Sequence, residues 1–143
     1  PEELIKILDL KPLPEEGGLF NEVYRAGETI PLNALPDRYD GERSHCTAIY
    51  YMLLPGMVSR MHRVKSDEIF HLYAGGPAKM QQRFPDGSTK EIIIGLDFNS
   101  GQRPMVVVPA GVWQGMELMP GTEFALFGCT VAPGFEYDDF KVQ

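Results

Sequence analysis

Between positions 56 and 75 the chain reads GMVSRMHRVKSDEIFHLYAG, which sets His62 and Glu68 six residues apart in a largely apolar stretch. Imidazole is the side chain that titrates nearest neutrality, and a carboxylate beside it can orient and tune it for proton transfer. The same two groups can bind a divalent metal, with the amide oxygen of Gln114 in VVVPAGVWQ as a third donor. Neutral amide oxygen is a poor exchange for imidazole at a transition metal, and Val64, two residues past His62, coordinates nothing. The residues therefore favour His62 and Glu68 as a metal-free catalytic pair that requires no cofactor. A divalent metal on His62, Glu68 and Gln114 is the alternative, and a buried ion pair that merely orders two strands is the structural one. Arg25, in NEVYR, and Arg60 are candidates for holding an anionic group through a planar guanidinium fork. A surface salt bridge is the plainer role for Arg25. Phe70 and Trp113 are candidate pocket walls or core, and Tyr50, Tyr51 and Tyr73 each offer a phenol that could serve as an acid.

These groups must be positioned by short strands. After an opening helix in PEELIKIL, where Glu2 and Glu3 suit the positive end and Leu4, Ile5 and Leu8 form an apolar stripe, the period shifts from helical to alternating. Strands are expected at 19–26, 46–54, 59–64, 68–73, 79–84, 89–94, 105–108, 112–118 and 123–132. The turns Pro85-Asp86-Gly87 and Pro120-Gly121 are expected to close hairpins. Residues 29–43 lack a steady period and read as an irregular loop, either a rim over a pocket or a surface connection. Alternation places Arg60, His62 and Val64 on one face of their strand if that strand is regular, and Glu68, Phe70 and Leu72 on one face of the next. His71 falls on the opposite parity from Glu68, so joining it to a metal triad would need a bulge.

The spacing Gly56-x5-His62-x-Val64-x3-Glu68-x6-Gly75 resembles the first cupin motif with its second histidine replaced by valine. Pro109-Ala110-Gly111-Val112-Trp113-Gln114 resembles the second, Pro-x-Gly-x-x-His, with glutamine in place of the histidine. With the blocks GGLFNEVYR and GCTVAPGF, the chain is identified as a member of the uncharacterised single-domain branch of RmlC-like cupins, related by fold to sugar epimerases and seed-storage cupins. Pro14 stands where members of that branch often carry a histidine. The resemblance implies an all-β fold, an antiparallel double-stranded β-helix (the cupin jelly-roll barrel) with a short N-terminal helix, as one domain over 1–143. It implies that His62 and Glu68 point inward, with Val64, Phe70 and Leu72 beside them, and that the subunits form a homodimer. The usual cupin metal set is three imidazoles and one carboxylate, and this chain keeps one of each.

Twenty acidic against thirteen basic side chains give a net charge of −7, which disfavours nucleic acid as a partner. A hydrophobic fraction of 43% with 23% charged residues is that of a folded globular chain. No apolar run is long enough to cross a bilayer and no basic-then-apolar leader opens the chain, so a cytoplasmic location without membrane association is expected. Cys46 and Cys129 have no metal-type spacing and read as buried thiols on strands. The expected function is binding of a small molecule in an interior pocket around His62 and Glu68. The chemistry is that of a metal-independent isomerase or epimerase on a sugar-like or small carbonyl compound. A non-catalytic binding protein and a metal-dependent cupin enzyme with a depleted ligand set are the alternatives.

Overall fold

The computed structural model describes residues 1–143. One short helix, α1 (Glu2–Ile7), precedes thirteen strands: β1 (Lys11–Pro12), β2 (Leu19–Arg25), β3 (Thr29–Ile30), β4 (Arg43–Ser44), β5 (Thr47–Leu53), β6 (Val58–Arg63), β7 (Asp67–Gly75), β8 (Ala78–Arg83), β9 (Thr89–Ile94), β10 (Met105–Val108), β11 (Trp113–Leu118), β12 (Ala125–Ala132) and β13 (Lys141–Val142). The longer strands lie within two residues of their expected bounds. The unexpected ones, β1, β3, β4 and β13, are two residues long and too short to show a period.

Six strands in the order β1-β2-β5-β12-β7-β10 form one antiparallel sheet, and five in the order β13-β6-β11-β8-β9 form the other. Successive strands β5 and β6, β6 and β7, and β11 and β12 belong to different sheets, so the chain crosses repeatedly between layers in a jelly-roll manner. Pro85-Asp86-Gly87 closes the expected β8–β9 hairpin, with Gly87 at φ +86° and Asp86 Oδ1 accepting from the Ser88 amide at 2.9 Å. Pro120-Gly121 does not close a hairpin. β11 pairs with β6 and β8 while β12 pairs with β5 and β7, so this turn carries the chain from one sheet to the other. Proline and a positive-φ glycine specify a reversal of direction, not the strand that receives it.

The core between the sheets is built from Tyr51, Leu53, Phe70, Phe127 and Cys129 on one side and Met80, Val112 and Met116 on the other. α1 buries none of its residues completely. Its apolar stripe, Leu4 and Ile5, packs with Leu8 on Leu10, Leu19, Met52 and Leu126, the reverse face of the six-stranded sheet. That cover accounts for the apolar residues on both parities of β5. Residues 29–43 are largely irregular, as expected, but their ends are tied: β3 pairs with β4, and a 3-10 turn (Leu32–Ala34) lies between them. Arg43, 4% exposed, reaches Asp139 with Nε at 3.0 Å and Nη2 at 2.6 Å, tying this segment to the one that follows β12. Cys129 is buried on β12, whereas Cys46 is half-buried just before β5, and both are free thiols.

Candidate active site

A cavity of about 280 Å³ opens beside this core. Phe20, Glu22 and Arg25 enter it from β2, Thr47 and Ile49 from β5, His62 from β6, Glu68 from β7, and Cys129 and Val131 from β12. Leu13 and Glu16, ahead of β2, Val64, just after β6, and Phe135, Glu136, Tyr137 and Phe140, after β12, complete the wall.

His62 is 2% exposed and owes its placement to a bulge. Gln114 of β11 pairs with His62 and Met116 pairs with Ser59, so two steps on β11 match three on β6. Ser59 and His62 therefore both turn inward, and the side chain of Arg60 is thrown outward. The expectation that Arg60 shares the His62 face is thus corrected: its guanidinium is exposed and reaches only the Glu15 carbonyl at 3.3 Å. Its backbone serves the site instead. The Arg60 carbonyl accepts from His62 Nδ1 at 2.6 Å, and the Arg60 amide donates to the Glu16 carbonyl at 2.8 Å. A carbonyl can only accept, so Nδ1 carries a proton and Nε2 of the neutral ring presents its lone pair.

Facing Nε2 at 3.5 Å is Oε1 of Glu16, a residue that sequence reasoning missed. Glu16 Oε2 accepts from Ser59 Oγ at 2.9 Å. The Gly17-Gly18 turn makes this approach feasible: both glycines have positive φ, and a Cβ on Gly17 would fall 2.3 Å from the Val58 carbonyl oxygen. Glu68 is 8% exposed and accepts from Gln114 Nε2 at 2.8 Å. Gln114 is itself buried behind Glu68 and does not line the cavity, so it orients the carboxylate and has no direct access to a ligand. Phe140 stacks on the His62 ring at 5.4 Å, while β13 pairs with β6 alongside it.

Burial pushes both carboxyls up from 4.5 to about 7. The Ser59 hydrogen bond opposes this at Glu16; at Glu68 the His62 charge opposes it and the Glu16 charge adds to it. Burial also lowers His62, against the upward pull of Glu68. Glu16 and Glu68 thus titrate near neutrality, where the His62 ring is uncharged. Cys129 lines the cavity as a thiol that burial pushes well up, which leaves it a poor nucleophile.

The other expected residues are scattered. Arg25 sits at the cavity mouth but is already engaged, with Nη1 on Glu136 at 2.8 Å and Nη2 on Glu22 at 2.8 Å and on the Phe135 carbonyl at 2.9 Å. Phe70 points inward but lies in the core, edge-on to Phe127 at 5.8 Å, and Leu72 also packs there. Trp113 faces out of the five-stranded sheet under the guanidinium groups of Arg63 and Arg83, at 4.9 and 5.6 Å. Of the three tyrosines, Tyr51 is buried with its hydroxyl on the Gly17 carbonyl at 2.7 Å, and Tyr50 and Tyr73 meet edge to face outside the cavity. His71 stacks on Tyr73 on that outer face, as its parity requires. The phenol in the cavity wall belongs to Tyr137. Residues 29–43 contribute nothing to the lining, and the mouth is walled instead by the segment after β12.

The donor set does not fit the metal of a cupin centre. No three His, Cys, Asp or Glu side chains converge in a way that could hold a metal ion. Gln114 turns its NH2 toward Glu68, and Val64 occupies the place of an imidazole.

The family described as Cupin superfamily (DUF985) matches residues 2–143. An uncharacterised protein of Saccharomyces cerevisiae is 31% identical over 133 residues, which cover 87% of this chain and 66% of that protein. Among solved structures, a hypothetical protein from Leishmania major is similar with a TM-score of 0.88 at 27% identity, covering 99% of this chain and 86% of that one. A protein from Shewanella oneidensis gives a TM-score of 0.86 at 32% identity, covering 99% and 83%. Oxalate decarboxylase from Bacillus subtilis, at a TM-score of 0.64 and 17% identity over 94% of this chain and 30% of its own, shares the fold alone. No helix is long and apolar enough to cross a membrane. A family match over nearly the whole length, on a chain folded as a jelly roll, makes this protein a member of the cupin superfamily, in its DUF985 family.

Proposed function

We propose that this cupin is a metal-independent isomerase of a small hydroxy-carbonyl compound, with His62 as base and Glu16 as acid. The observation that carries this is the lone pair of His62 Nε2 set 3.5 Å from Glu16 Oε1 inside a mostly apolar cavity. His62 takes the proton from the carbon next to the carbonyl, and the electron pair of that C–H bond becomes the C=C bond of an enediol. The carbonyl π pair moves to oxygen, which takes the proton from Glu16. Glu68, held by Gln114, stabilises the imidazolium meanwhile. Collapse the other way returns the proton from His62 to the neighbouring carbon, and the hydroxyl proton returns to Glu16. Base and acid stand side by side, which suits a shift between adjacent carbons. Inversion of a centre requires groups on opposite faces, so the geometry favours an isomerase over an epimerase.

The test is proton NMR in D2O with a panel of neutral hydroxyaldehydes and hydroxyketones. The wild type should wash out the proton on the carbon next to the carbonyl of at least one compound, and His62→Ala should not. Saturable binding without exchange in any compound would make this a binding protein. The proposal also includes a homodimer through the outer face of the six-stranded sheet, supported by the exposure there of Tyr24, Tyr73, Met105 and Val107.

A further inference from the structure

We infer that the compound held in this cavity carries a protonated amine. The inference rests on the acid–base reading above for the identity of the site and adds the charge of its occupant. Glu16, Glu22, Glu68 and Glu136 line the cavity against Arg25 and His62. Four of the five N–H groups of Arg25 are held by Glu22, Glu136 and the Phe135 carbonyl, which leaves one on Nη1. An entering anion would meet four carboxyls and a guanidinium whose charge is already paired with two of them.

The unengaged atoms point the same way. Glu68 Oε1 is taken by Gln114, and Oε2 has no hydrogen bond; His62 Nδ1 is taken by Arg60, and Nε2 has none. Glu16 Oε2 is taken by Ser59, leaving Oε1. No side-chain nitrogen or oxygen is both sealed off and unpartnered, so these three atoms open to the cavity although His62 and Glu68 are 2% and 8% exposed. Above about pH 7, where both carboxyls have given up the proton that Glu16 holds as the acid at lower pH, the ring is neutral and all three atoms are acceptors. Their complement is a group that only donates, and an ammonium offers three donors and no acceptor. Phe20, Phe135, Tyr137 and Phe140 line the same cavity, and aromatic rings are favourable neighbours for a cation. The raised proton affinity of Glu16 and Glu68 is the behaviour of carboxylates that lack a counter-cation.

Benzylamine, benzyl alcohol and benzoate share a skeleton and differ in charge, and their affinities for the wild type and for Glu68→Gln at pH 8 test the inference by titration calorimetry. The expected result is benzylamine tighter than benzyl alcohol by about 10-fold or more, benzoate weakest, and a preference reduced to about 3-fold or less in Glu68→Gln. Benzyl alcohol or benzoate binding as tightly as benzylamine overturns the inference, as does a preference unchanged in Glu68→Gln or the failure of all three to bind. The exchange assay uses neutral compounds and His62→Ala, so loss of the amine preference with exchange intact removes this inference and leaves the isomerase standing. The reverse pattern removes the isomerase alone.

Discussion

Replacing Glu16 with glutamine should make the protein more stable at alkaline pH while leaving it nearly unchanged at acid pH. The Glu16 side chain is 13% exposed, and burial raises its pKa from 4.5 to about 7. The folded state therefore binds this proton more tightly than the unfolded state. Its contribution is complete below about 4.5 and is lost as the pH rises through about 7. One carboxyl changes stability by about 1.4 kcal/mol per pH unit across that window, which accumulates to the order of 3 kcal/mol. An uncharged amide mimics the protonated acid: its oxygen can accept from Ser59 Oγ, and its NH2 can donate to the lone pair of His62 Nε2. Urea denaturation followed by circular dichroism at pH 5 and pH 8 measures the difference. Glu16→Gln should match the wild type within about 1 kcal/mol at pH 5 and exceed it by about 2–3 kcal/mol at pH 8. That gain is a midpoint shift of roughly 1 M or more for an ordinary m-value. His62 titrates in the opposite sense, its lowered pKa costing stability as the pH falls below 6.5, but it is present in both proteins and largely cancels in the comparison. A stability difference that is the same at both pH values would refute the claim that Glu16 is a desolvated acid.

Arg43→Met leaves the buried Asp139 with only Lys65 Nζ, 3.9 Å away, and should cost about 3 kcal/mol, seen as a fall of roughly 10 °C in melting temperature. Val64→His combined with Gln114→His supplies the imidazoles that the resemblance finds missing. Elemental analysis of that double variant should show near-stoichiometric divalent metal, against trace amounts in the wild type, and equal content in both would contradict the donor-set argument. Val107→Glu places a charge on the outer face of the six-stranded sheet, and sedimentation velocity should then show a monomer where the wild type sediments as a dimer.

The fold was legible because alternation and turn chemistry are local, and nine strands announced themselves that way. Sheet partnership was not, as Pro120-Gly121 illustrates, because a turn is specified within four residues and a partner across the whole chain. His62 and Glu68 were found from their spacing, and the cavity contains both. Glu16 was missed because it sits in an aperiodic turn where nothing marks a residue as inward. The two glycines after it, and the branch histidine replaced by Pro14, were the signals that this turn meets the pocket. Arg60 was misplaced because parity counts residues and a bulge inserts one without any sequence mark. Phe135, Tyr137 and Phe140 went unread because aromatics in an irregular segment carry no period to say which way they face.

The bulge in β6 gives position 60 an unusual information content. Its amide steadies the Glu16 turn and its carbonyl fixes the tautomer of His62, while its side chain lies in solvent. A survey of substitutions there would find nearly every residue acceptable and rank the position as unimportant. Proline, which has no amide hydrogen to donate, would be the exception. The orientation of the His62 ring is thus encoded in chain geometry that most codons at that position would preserve.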